Sequence, residues 1–163
     1  MNISCQNAVI LTLRAAARAL YNLGPGQTEK TYEVLMQKTL YDQHVPVLTQ
    51  FDTHMRTEEG IIVYTGTCDL FVASNLVVEL KARQASIKQD HIDQVMRYRQ
   101  SIIGLHDNKK DEMVQAMIIN FTRINQHDVM QVWQNTSNDT NTLLVDRSKP
   151  NIVVELYDRT CGK

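Results

Sequence analysis

Apolar residues recur at helical spacing through the start of the chain: Ile3, Val9, Ile10, Leu13, Ala17 and Leu20 predict a first helix over residues 3–22. Gly24-Pro25-Gly26 interrupts it sharply. Tyr32, Leu35, Met36 and Leu40 then form the buried stripe of a second helix over 28–42. Alternating runs predict strands at 45–56, 61–73 and 76–83, the first two joined by a turn at Glu58-Glu59-Gly60. Helical spacing returns over 86–104 with Ile87, Ile92, Val95 and Ile102, and a fourth strand follows at 113–121. Further strands are expected at 128–133, 142–146 and 151–158, with a polar loop over 134–142. The order α-α-β-β-β-α-β predicts an α/β fold in which helices cover a mixed central sheet.

One hairpin departs from the pattern. In Thr67-Cys68-Asp69-Leu70-Phe71-Val72-Ala73-Ser74-Asn75-Leu76-Val77-Val78-Glu79-Leu80-Lys81, an acid and a lysine share one face of a strand that is otherwise apolar. Asp69 on the neighbouring strand adds a second carboxylate. Two carboxylates and an ammonium at one place are what metal-dependent phosphodiester hydrolysis requires. The alternative is an ion pair on a half-buried strand. The turn decides whether the set can assemble. A two-residue turn at Ser74-Asn75 puts Asp69 opposite Leu80 and on the wrong side, whereas a three-residue loop, Ala73 to Asn75, or a bulge puts it opposite Glu79. Asn75 tolerates the left-handed conformation such loops use.

Asp69, then Glu79-Leu80-Lys81, resembles the signature of the PD-(D/E)XK nuclease superfamily. Gly26-Gln27-Thr28-Glu29-Lys30-Thr31-Tyr32 is similar to the Gly-x-x-Glu-x-x-Tyr motif of one family within it, the GxxExxY family. His91-Ile92-Asp93-Gln94-Val95-Met96-Arg97-Tyr98 fits that family's His-x-x-Gln and the Gln-x-x-x-Tyr motif of the helicase–nuclease branch, and Ile118-Ile119-Asn120-Phe121 resembles the closing strand. The resemblance covers residues 3–121 and implies a restriction-endonuclease-like α/β/α sandwich, a single nuclease domain over 1–163 whose last part, 122–163, is a β extension.

The resemblance also implies roles. Asp69 and Glu79 would bind Mg²⁺ or Mn²⁺ with the Leu80 carbonyl as a third donor, and Lys81 would orient water and neutralise the phosphate. Glu29 would approach the same cluster directly or through water; its alternative is an acid in the first turn of a helix, favoured by the dipole. Gln94 would contact Lys81 or the attacking water. Tyr98 and His91 would line the substrate phosphate, though the Tyr98 ring has packing as its alternative. Arg83 and Arg97 belong to a stretch in which Lys81, Arg83, Lys88, Arg97 and Arg99 outnumber Asp90 and Asp93. Val153-Val154-Glu155-Leu156 repeats the Glu79 strand, but Tyr157 replaces the lysine, so Glu155 reads as an edge-strand acid.

Bulk properties narrow this little further. The 163 residues suffice for one core, and a net charge of −1 gives no global attraction to nucleic acid. Cys5, Cys68 and Cys161 form no Cys-x-x-Cys, which argues against an iron–sulfur cluster and for a reducing intracellular compartment, cytoplasm or nucleus. No apolar run reaches the ~20 residues of a membrane span. The expected partner is nucleic acid, DNA ahead of RNA, with a homodimer through the tail strands as a further reading. The rival function is a non-catalytic module that binds nucleic acid or a protein partner on the same fold.

Overall fold

The computed structural model describes residues 2–104 and 113–145. Two helices come first, α1 (Cys5–Leu23) and α2 (Glu29–Asp42). Ser4 caps α1 through its hydroxyl and Thr28 caps α2 in the same way, each satisfying an amide the helix leaves open. Gly24 ends α1 at φ 71°, a conformation that favours glycine. Three strands follow, β1 (Val47–Arg56), β2 (Ile62–Val72) and β3 (Leu76–Lys81), then α3 (Gln89–Ile103) and strands β4 (Gln115–Ile124), β5 (His127–Gln134) and β6 (Thr140–Leu144). The expected strand over 151–158, with Glu155, lies outside the described residues.

The six strands form one sheet in chain order, antiparallel everywhere except between β3 and β4. Parallel neighbours need a crossover, and α3 supplies it. One apolar core lies under α1 and α2, where Leu13, Leu20, Met36 and Leu40 meet Leu70, Val78, Leu80 and Ile119. Another lies under α3, where Val95 and Tyr98 meet Cys68, Val77, Ile118 and Trp133. The architecture is therefore the three-layer α/β sandwich with a mixed sheet that the sequence suggested.

Several boundaries move for identifiable reasons. β3 stops at Lys81 and α3 starts only at Gln89, because the buried Asn120 ties down the connection between them. Its carboxamide oxygen takes the Arg83 amide at 3.0 Å, and its nitrogen donates to the carbonyls of Arg83 and Ala85 at 3.2 and 3.1 Å. β4 runs past Phe121 to Ile124 because Asn125 and Gln126, both at positive φ, turn it tightly into β5.

Candidate active site

The loop between β2 and β3 has three residues. Val72 pairs with Leu76, Phe71 with Val77 and Leu70 with Val78, so the next position in register sets Asp69 opposite Glu79. The left-handed residues are Ala73 and Ser74, not Asn75. Asn75 is held by bonds to residues distant in sequence, its side chain donating to the Ile3 carbonyl at 2.7 Å and its own carbonyl accepting from the Gln115 amide at 2.9 Å.

At Leu70 and Val78 the ladder ends, and side chains take over. The Leu80 amide donates to Asp69 Oδ2 at 2.7 Å. Asp69 Oδ1 accepts from the Gln50 carboxamide at 3.2 Å. Glu79 is 5 % exposed, and Lys81 Nζ lies 3.3 Å from its Oε1. Glu79 Oε2 is buried without a hydrogen-bond partner. Burial, and then the charge of Asp69, push the Glu79 carboxyl up to about 7 despite Lys81. Burial raises Asp69 as well, with the Leu80 amide and Gln50 opposing and the charges of Glu33 and Glu29 adding to the rise. Glu29 is exposed in the first turn of α2, near enough for its charge to act on both acids.

The α3 residues stand behind this pair. Gln94 donates to the Tyr98 hydroxyl at 2.7 Å. Tyr98 is buried in the α3 core, and burial followed by the Glu79 charge pushes its hydroxyl up to about 12. Its ring covers Gly66 so closely that a Cβ there would strike it, and would also meet the Tyr64 hydroxyl at 2.6 Å. His91 lies between two donors, the Lys88 amide 3.0 Å from Nδ1 and Arg83 Nη1 2.8 Å from Nε2. A neutral imidazole accepts at one nitrogen only, so the donors compete. Burial lowers the His91 pKa, and the charges of Lys81 and Arg83 lower it further. Arg97 is exposed and stacks over the Tyr64 ring, 5.7 Å from its centroid.

A family model described as the PD-(D/E)XK nuclease superfamily matches residues 5–132. The chain belongs to that superfamily. The match passes Phe121, where the motifs end, and takes in most of β5. No curated protein matches the chain.

Nucleases of the PD-(D/E)XK superfamily usually use divalent metals, and the residues here suit one. Asp69 and Glu79 offer hard oxygen donors, and the partnerless Glu79 Oε2 is a buried acceptor that a cation would satisfy. Among the described residues, no group of three or more His, Cys, Asp or Glu side chains is gathered to hold a metal by itself, so backbone, water or substrate oxygens would have to complete the shell.

Two residues at this site escaped the sequence reading. Glu33, buried on α2, receives Lys30 Nζ at 2.8 Å and the Gln50 carboxamide at 2.8 Å. Its signal was available, since Glu29 and Glu33 are one helical turn apart on the same face. Gln50 belongs to the exposed series Leu48, Gln50, Asp52, His54, Arg56 of β1, and nothing in that alternation separates it from its neighbours. Tyr32 resolves differently. It stacks on Phe121 with centroids 4.0 Å apart and donates to the Gly24 carbonyl at 2.7 Å, closing the turn that delivers Glu29.

Proposed function

We propose that this chain is a metal-dependent nuclease that hydrolyses phosphodiester bonds in nucleic acid, DNA first among substrates. One observation carries the reading: the three-residue loop sets Asp69 against Glu79 where the β2–β3 ladder ends, with Lys81 beside a buried and partnerless carboxylate oxygen. Asp69 and Glu79, with the Leu80 carbonyl, would hold Mg²⁺ or Mn²⁺. Bound there, the ion would lower the pKa of a water and neutralise charge on the scissile phosphate. Lys81 Nζ, at the edge of the pair, exchanges its carboxylate for a phosphate oxygen as charge gathers there. Glu29 adds a further acid at the mouth. Gln94 and Tyr98 form a hydrogen-bonded backing that limits water behind Glu79. Arg83, His91 and Arg97 receive the flanking phosphates. The chain acts as one nuclease domain over 1–163, and since one copy carries the whole set, a homodimer serves only a substrate with two strands to cut.

Within the superfamily we place the chain in the GxxExxY family. The Tyr32 bond to the Gly24 carbonyl supports this, giving the motif's tyrosine a reason to stand beside its glycine turn. No helix of the described residues is long and apolar enough to cross a membrane. Cys5 and Cys68 are free thiols, which suits a reducing compartment, cytoplasm or nucleus.

The Lys81–Glu79 ion pair also suits a second reading, a binding module that no longer turns over. Cleavage of labelled single-stranded, duplex and branched DNA separates the two. Products that require Mg²⁺ or Mn²⁺, and that fall at least ~100-fold in Lys81→Ala, are expected for the nuclease. DNA binding in EDTA with no products from any substrate would establish the module instead.

A further inference from the structure

β1 pairs with β2 at Thr49↔Leu70 and again at Phe51↔Cys68, yet between these pairs Gln50 adopts φ 48°. Left-handed backbone in mid-strand is strained for a residue with a Cβ and persists only where surroundings enforce it. The rotation is felt across the ladder: Cys68 and Leu70, two apart on β2, enter opposite cores.

The contacts of the side chain explain what enforces it. One carboxamide nitrogen donates to Glu33 Oε2 at 2.8 Å and to Asp69 Oδ1 at 3.2 Å. Glu33 is 3 % exposed, and Lys30 fixes its other oxygen. A continuous line of hydrogen bonds therefore runs from α2 through β1 to Asp69, and from Asp69 Oδ2 to the Leu80 amide of β3. Each oxygen of Asp69 has one donor, which fixes the plane of its carboxylate. An amide suits this place better than a cation would. It has a hydrogen for each carboxylate, and it orients Asp69 without cancelling the charge that a metal needs.

We propose that Gln50 is a positioning residue, anchored by buried Glu33, that aims the Asp69 carboxylate at the space shared with Glu79. The inference rests on the nuclease reading for its consequence, but the contact itself can be tested without metal. Gln50→Gly is the informative variant, because glycine accepts the left-handed backbone while the bonds to Glu33 and Asp69 are lost. Its melting temperature should stay near wild type only as far as relief of the left-handed strain offsets the loss of the amide's bonds to Glu33 and Asp69. Gln50→Ala, which keeps the strain, is measured beside it and should melt lower. Its Mn²⁺ affinity, measured calorimetrically without DNA, should fall roughly 10- to 100-fold, the usual loss when a ligand's supporting hydrogen bond is removed. kcat should fall with it while KM for DNA stays near wild type. In EDTA, Gln50→Gly and Asp69→Ala should shift the melting temperature non-additively. Wild-type Mn²⁺ affinity in Gln50→Gly, or strictly additive shifts, would overturn the assignment even in an active enzyme. Coupled shifts in a wild type that binds no Mn²⁺ would support the contact and defeat the nuclease reading instead.

Discussion

Glu79 is a carboxylate placed where the fold makes its charge costly. In the folded chain it keeps its proton up to about pH 7, whereas the unperturbed group releases it near 4.5. The folded state thus binds more protons between those values, and stability falls as pH rises through them. The stabilisation is fully present below pH 4.5 and lost by about 7, a difference of roughly 3 kcal/mol at 1.36 kcal/mol per unit. Melting curves in EDTA from pH 4 to 8 should show this fall, and Glu79→Gln should flatten it. A wild type whose stability is level across that window would contradict the burial of an unsatisfied acid. Divalent metal binds the ionised form, so saturating Mn²⁺ should raise stability most at the alkaline end. Residue type and spacing made Asp69, Glu79 and Lys81 legible in the sequence. Gln50 was not, because a glutamine's value here comes from which carboxylates it reaches across two other elements.

At the scale of elements, loop length does the most. Side chains alternate along a strand, so the count between Val72 and Leu76 decides whether two acids meet or face apart. Bringing the acids together requires a three-residue loop or a bulge, and the register shows the loop. The conformation was less legible: Ala73 and Ser74 take the positive φ, while the Asn75 side chain bonds the Ile3 carbonyl. Deleting Ser74 should leave a folded sheet by circular dichroism but abolish Mn²⁺ binding; a deletion variant that binds metal normally would mean that register does not assemble the site. A second element-scale test is Gly66→Ala on β2. The new methyl would meet the Tyr98 ring and the Tyr64 hydroxyl, and overpacking of this kind costs about 1–3 kcal/mol in an unfolding titration. The ends of β3 and α3 could not be read locally, because Asn120 sets them from β4, adjacent in the sheet but far along the chain. Asn120→Ala would leave the Arg83 amide and the Arg83 and Ala85 carbonyls without that partner, an expected loss of about 1–3 kcal/mol for each group left unsatisfied.

Over the whole molecule, the layer order followed from the hydrophobic pattern because each helix has one apolar face and the sheet has two. What no pattern revealed is how unevenly the sheet is knit. β1 and β2 zip together from Val47↔Val72 out to Arg56↔Ile62, and β4 and β5 pair from Met117↔Gln134 to Ile124↔His127. β2 and β3 share only Leu70–Val72 against Leu76–Val78, after which Asp69 reaches across to Leu80 alone. The sheet is therefore two stiff panels joined along a short seam, with α3 bridging it by packing on strands from both sides. α1 and α2 span the same seam on the other face, and the acids sit where the β2–β3 ladder ends. With three pairs against eight, the β2–β3 ladder is the weaker join of the sheet, and its amides should exchange with solvent before those between β4 and β5.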